Sequence, residues 1–207
     1  ECPRAVRERS IMRILIFSQY YQPDITAAAF RISETAELLA SRGHSVTVVT
    51  AQPHRARTQS TAALGPTPSS QEPHRARTGV GTPATRSTRE PTVHRVLIEP
   101  LTGSGMGPYL KHYLSYAIRA FAAGLKIRFS GKRFDVIWAT SPPLFAALPA
   151  VFLRPLFAAP LVLDIRDIWP DTAVAAGQIS PDGRAYQIGR YLELWLYRRA
   201  RVLTCVA

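Results

Sequence analysis

Cysteine is nearly absent from these 207 residues. Its two occurrences, Cys2 and Cys205, lie at opposite ends, so spacing offers neither a disulfide framework nor a thiolate metal site. A reducing cytoplasm is the default setting. The histidines at 44, 54, 74, 94 and 112 lack ligand spacing with the acids, which disfavours zinc chemistry and leaves no metal expected. No apolar core with a small-residue cleavage site opens the chain, so no secretory signal is visible. Acids are also scarce, 14 against 26 Lys and Arg, for a net charge of +12. The shortage is regional. Between Pro108 and Phe134 there is no Asp or Glu, yet Lys111, Arg119, Lys126, Arg128, Lys132 and Arg133 all occur there. A second basic group (Arg184, Arg190, Arg198, Arg199, Arg201) lies near the C-terminus, while acids gather between Asp164 and Asp182. This asymmetry points to an anionic partner, whether membrane surface, nucleic acid or phosphate-bearing substrate; its alternative is plain arginine-rich composition.

What is present is ample apolar material, 46% of the chain, enough for a packed core. Met12-Arg13-Ile14-Leu15-Ile16-Phe17 reads as a buried first strand, begun at Ile11, and Met12 is expected to be the natural start behind an unpatterned extension, residues 1–11. Thr26 can cap a helix running to about Arg42, with apolar residues at three- and four-residue spacing and Gly43 as its stop. Strands are expected over Val46–Thr50, Val93–Ile98, Asp135–Thr140, Pro160–Ile165 and Val202–Val206. Helices are expected over Pro108–Phe129, from Ser141-Pro142-Pro143 to about Phe157, and over Tyr186–Ala200. Six strands with helical crossovers specify an α/β fold, a Rossmann-like doubly wound parallel sheet. The apolar span from Pro142 to Leu163 is long enough to suggest a membrane crossing, but Arg154 and prolines 149, 155 and 160 argue for a buried helix followed by a buried strand.

Residues 51–92 interrupt the pattern. They are rich in Pro, Ser, Thr, Gly and Arg, and Pro53-His54-Arg55-Ala56-Arg57-Thr58 recurs as Pro73-His74-Arg75-Ala76-Arg77-Thr78. Two copies make no solenoid. A basic nucleic-acid arm would need stacking aromatics, which are missing, so a tolerated low-complexity insertion is the better reading and no nucleic acid is expected as partner. Gly103-Ser104-Gly105-Met106-Gly107 precedes a helix, but a dinucleotide fingerprint would need glycine where Pro108 stands, and no Walker lysine follows.

Candidate chemistry lies on loops after strands, where open α/β sheets bind ligands. The first loop offers Gln19, Tyr20, Tyr21, Asp24 and Thr26 before a helix N-terminus able to hold an anion. The second offers Ser141 with two prolines, which suits a turn better than a nucleophile. The third, Asp164-Ile165-Arg166-Asp167-Ile168-Trp169-Pro170-Asp171, packs three carboxylates, an arginine and a tryptophan into eight positions. Arg166 can meet a phosphate bidentately, and carboxylates beside it can bind sugar hydroxyls or act as a base. Asp167, flanked by Ile168 and Trp169, is the candidate catalytic residue, with raised proton affinity if the loop buries it. Tyr20, Asp24, Thr26, Arg166 and Asp171 are candidate substrate-binding residues, and Asp164 is structural. The stretch Pro108–Phe129 interleaves Tyr109, Tyr113, Tyr116, Phe121 and Phe129 with cations, which suits either a helix on an anionic bilayer through Lys111, Arg119, Lys126 and Arg128 or a core-facing helix with a basic edge.

Three stretches carry a resemblance: Met12 to Asp24, Leu38 to Thr50 (ending Arg-Gly-His-Ser-Val-Thr-Val-Val-Thr), and Arg166-Asp167-Ile168-Trp169-Pro170-Asp171. They resemble the N-terminal domain of glycosyltransferase family 4, in its bacterial O-antigen and exopolysaccharide subgroup. The resemblance covers about Met12 to Thr50 and Val93 to Ala207. It implies one half of a GT-B fold that mainly binds the acceptor, facing a second Rossmann-like domain that binds a nucleotide-sugar, commonly a UDP-sugar. It also implies retention of anomeric configuration without a metal, with electrostatic stabilisation of the leaving diphosphate as the main catalytic term. No cofactor is expected beyond the nucleotide-sugar co-substrate, and the acceptor would be lipid-linked or a glycan. Where many relatives have a glycine pair in the first loop, this chain has Ile25-Thr26-Ala27. The donor domain lies outside these residues, so they are expected to bind at most an acceptor, in the cytoplasm or on the inner membrane face. A nonenzymatic Rossmann-like module and a basic nucleic-acid binder are the alternatives.

Overall fold

A computed structural model describes residues 10–53, 89–102 and 106–205. The elements run β1 (Arg13–Phe17), α1 (Ala27–Ser41), β2 (Ser45–Ala51), β3 (Thr92–Val96), α2 (Met106–Phe129), β4 (Val136–Ser141), a 3-10 turn (Leu144–Ala147), α3 (Leu148–Phe157), β5 (Leu161–Ile165), α4 (Asp171–Ala175), α5 (Arg184–Arg199) and β6 (Val202–Cys205). The strands form one six-stranded parallel sheet in the order β3-β2-β1-β4-β5-β6. That is the Rossmann-like doubly wound fold the alternating pattern implies.

Side chains on β1 sort strictly by parity. Ile14 and Ile16 point to the face covered by α1, joining Ile32, Ala36, Val46 and Val48. Leu15 and Phe17 point to the other face, where α2, α3 and α5 supply Tyr116, Ala120, Leu153 and Leu196. Both faces being covered explains the uninterrupted apolar run. Each of the enclosed Ile, Leu, Val and Phe side chains contributes roughly 1.5–3 kcal/mol of burial.

Helix α1 begins where expected, with Thr26 Oγ1 accepting from Ala29 N at 3.1 Å. It ends in a Schellman arrangement: Gly43 N donates to Ala40 O and His44 N to Leu39 O, with Gly43 at φ +93°. Several expected boundaries are corrected. β1 starts at Arg13 rather than Ile11, because Met12 N donates to the His44 ring and Ile11 is exposed. Ala51 and Thr92, assigned to the insertion, are ladder residues of β2 and β3; residues 54–88, including most of the repeat, and 1–9 lie outside the described residues. β3 stops at Val96, since the chain then turns to meet α2 through Ser115 Oγ, which accepts from Glu99 N. α2 starts two residues before Pro108, so Met106 and Gly107 are helical rather than loop. A 3-10 turn intervenes after Pro143 before α3, and the short helix α4 was not foreseen. No helix among the described residues is long and apolar enough to cross a membrane.

Gly124 of α2 lies where the helix approaches β1 and α3. A Cβ there would overlap Leu153 Cδ1 and come within 3.2 Å of Phe17 Cζ. Helix propensity alone would favour replacing this glycine, but the enclosed site offers no volume. Gly124→Val is expected to destabilise the domain by about 1–3 kcal/mol. A lowered urea midpoint at unchanged slope checks this, and an unchanged midpoint would show that α2 can move outward freely.

Candidate functional site

The strand order reverses between β1 and β4. Their crossovers leave for opposite faces, α1 to one side and α3 to the other, and a crevice opens at the carboxyl ends. There a cavity of about 390 Å³ is lined from four directions. Tyr20 comes from the loop after β1, with Thr26 and Ala28 at the start of α1; Pro142, Pro143 and Phe145 follow β4; Arg166 and Trp169 follow β5; and Tyr109 and Tyr113 descend from α2. The loops after β1 and β5, 146 positions apart at Tyr20 and Arg166, thus share one rim.

The charged loop after β5 does not collapse on itself. Asp164 is buried and turns to α1 and β6, accepting from Arg31 Nη2 at 3.1 Å and Thr204 Oγ1 at 2.7 Å, in keeping with a structural role. Its second oxygen has no hydrogen-bond partner among the described residues. Arg166 donates through its backbone N to Ser141 O at 2.8 Å and through Nη2 to Pro142 O, which fixes the guanidinium against the cis-proline loop. It forms no salt bridge among the described residues, and its Nε is buried without a partner. Burial lowers its proton affinity, opposed by the fields of Asp167 and then Asp164. Arg166 is thus held in place with no carboxylate in direct contact among the described residues, though Asp167 and Asp164 act on it through space.

Three tyrosines form the opposite wall. Tyr113 OH donates to Tyr109 OH at 3.0 Å, with the rings edge-to-face at 4.5 Å between centroids. Tyr20 lines the same cavity as Tyr109 and Tyr113. Burial is the main cause raising the proton affinity of both Tyr20 and Tyr113, so each presents a neutral hydroxyl at neutral pH. His112, buried behind them, holds the wall in place: its Nδ1 meets Glu99 O at 2.6 Å and its Nε2 lies 3.0 Å from Gln19 Nε2.

Of the residues expected to bind substrate, Tyr20, Thr26 and Arg166 line the cavity. Asp24 and Asp171 do not. Asp24 is buried in the turn that Asp24 N closes on Tyr21 O, and Asp171, at the start of α4, accepts from Tyr186 OH at 2.8 Å. Asp167 is exposed on the rim and does not line the cavity, so the loop does not bury it. Tyr109, Tyr113, Trp169, Thr172 and Gln178 were not foreseen as lining, although aromatic residues flanking Arg166 at a strand end were a usable signal. Tyr113 and Tyr116 were candidates for a bilayer-facing surface; both are buried, and Tyr116 OH donates to Val49 O at 3.0 Å. Among the described residues no three His, Cys, Asp or Glu gather closely enough to hold a metal ion.

Among the described residues, the lining therefore presents hydroxyls, aromatic faces, one amide and one guanidinium, and no carboxylate, histidine or cysteine. It can bind a polyhydroxylated ligand bearing an anionic group, whereas a proton acceptor must come from the rim. Fold and crevice together define a Rossmann-like α/β domain with a cavity at its topological switch point. The chain matches the model of the glycosyl transferase 4-like domain over residues 26–207 and belongs to that family. No match was found among curated proteins. Membership brings glycosyl transfer, with a sugar donor and an acceptor as substrates in general terms.

Trp169 is held by α5: a Cβ on Gly189 would overlap its ring and come within 3.3 Å of Pro170 Cβ. Gly189→Ala is therefore expected to displace the indole, shifting tryptophan emission and destabilising the domain by about 1–3 kcal/mol despite alanine's helix preference. Unchanged emission and stability would show that Trp169 is not clamped there.

Proposed function

We propose that these residues form the acceptor-side half of a retaining glycosyltransferase of GT-B architecture. A UDP-sugar would be held by a second Rossmann-like domain across the crevice, and turnover requires that domain. The acceptor is a lipid-linked sugar or glycan of the kind used in O-antigen and exopolysaccharide assembly. The place of the reaction is the cytoplasm, peripheral on the inner membrane face. One observation carries the reading: Arg166, fixed by Ser141 O and Pro142 O and free of any carboxylate partner among the described residues, sits in a hydroxyl- and aromatic-lined cavity at the switch point. Tyrosine hydroxyls and the Trp169 face suit a pyranose, and Arg166 suits a phosphate adjoining it. Thr26 and the first turn of α1, which contains no acid, bring the backbone N–H groups of Ala27 and Ala28 to the same rim. Asp167 is the base candidate of the open rim, and acts only once the second domain narrows the crevice. In this mechanism the chain orients the acceptor and supplies positive potential, with preorganised electrostatics as its contribution to the rate.

The absence of any acid from the cavity lining also suits a nonenzymatic binding module, and turnover separates the two readings. Titration of the protein with synthetic alkyl glycosides and alkyl diphospho-sugars, followed by calorimetry, tests the site. The diphospho-sugars are expected to bind more tightly, and Arg166→Ala to weaken them by about 1.5–3 kcal/mol, roughly tenfold or more, while leaving the neutral glycosides little changed. Equal affinity for both series, or no loss in the variant, would remove the anionic acceptor from the reading.

A further inference from the structure

The crevice and the core leave an apolar surface on α2 and α3 unexplained. On α2, Leu110, Leu114 and Ile118 recur at every fourth position and are 42%, 40% and 60% exposed; on α3, Phe152 and Leu156 are 56% and 47% exposed. Between the helices lies a groove of about 370 Å³ floored by Ala117 and Phe121 and walled by Ile118, Leu148 and Phe152. The opposite side of α2, through Tyr113, Tyr116, Ala120 and Ile127, is already committed to the core. A helix apolar on both sides needs a second apolar environment, and no described residue supplies one.

Charge identifies that environment. Neither α2 nor α3 contains an Asp or Glu. Lys111 adjoins the stripe in sequence, Arg119 and Lys126 lie on the side of α2 that faces His94 and Leu97, and Arg128 lies at its far end, donating to Leu156 O at 2.8 Å. The acid that meets these cations is Glu99, which shares 3.6 Å contacts with Lys111 and Arg119; such exposed pairs exchange readily for other anions. A second copy of this chain would bring the same cations against them, from a protein of net charge +12. Leucine, isoleucine and phenylalanine rimmed by lysine and arginine are the composition of an interfacial helix on anionic lipid.

We propose that the α2–α3 face docks on an anionic bilayer, with Leu114, Ile118 and Phe152 entering the acyl boundary and Lys111 and Lys126 at the phosphates. The inference deepens the peripheral location proposed above and rests on it for orientation. Leu110 and Leu114 are chain neighbours of the cavity residues Tyr109 and Tyr113, so the docked face brings the crevice mouth to headgroup level, where a lipid-linked acceptor would enter.

Flotation of the whole chain with phosphatidylcholine vesicles, alone and containing phosphatidylglycerol, tests this. Binding is expected only with the anionic vesicles and to fall in high salt. Lys111→Ala and Lys126→Ala should each weaken it about fivefold. Ile118→Ser with Phe152→Ser should abolish it; because both positions are more than half exposed, retained thermal stability of that variant is part of the expected result. Equal flotation on both vesicle types, no flotation, or a lipid-free dimer broken by Ile118→Ser would overturn the proposal. Lost flotation with diphospho-sugar binding intact refutes the docking alone, whereas lost sugar binding with flotation intact refutes the transferase reading alone.

Discussion

The pairing of β1 with parallel neighbours on both sides is the constraint from which the site follows. Right-handed crossovers force the connection from β1 to β2 over one face and that from β4 to β5 over the other. The two loops must diverge at the carboxyl end, and the space between them cannot be filled by either helix. Two sides of the cavity come from elements anchored to this divergence, and the others from α2 and the loop after β5. Thr26 caps the helix that leaves one way, and Pro142 and Pro143 begin the turn that leaves the other.

Rigidity in the crevice comes from contacts behind it. Trp169 rests against a glycine in α5, Arg166 is tied to two carbonyls of the β4 loop, and the tyrosine wall is held through His112 to Gln19 and Glu99. The carboxylates of the acidic segment serve largely in this support. Asp164 couples β5 to α1 and β6, and Asp171 couples α4 to α5 through Tyr186. The segment thus divides its labour: arginine and tryptophan face the ligand space, while two of its aspartates hold the scaffold.

The large positive charge also divides. Arg154, Arg198 and Arg199 lie in the last turns of α3 and α5, and Lys126 and Arg128 in that of α2, where cations compensate the helix dipole. The arginines in these places are explained by local backbone electrostatics without an external partner, whereas Lys126 also belongs to the proposed docking face. The same explanation does not reach Lys111 or Arg119, which stand in the first half and middle of α2 beside exposed leucines.

The sequence by itself determined the layering and most of the element list. Apolar runs of strand length, a threonine cap before an alanine-rich turn and a glycine stop are local signals, and each operates within a few residues of chain. It also located the rim loops, because strand ends are legible wherever an apolar run meets charge. What tertiary structure alone decided was the direction of each side chain on those loops. Asp24, Asp167 and Asp171 looked equivalent to Arg166 as cleft residues, yet one is buried in a turn, one is exposed outside the cavity, and one is bound to Tyr186, 15 positions away. The tyrosines of α2 suited either a bilayer surface or a core face by composition, and packing made them a cavity wall and core. Such choices depend on partners distant in sequence, whose approach is set by packing between whole elements and not by the composition of any single loop.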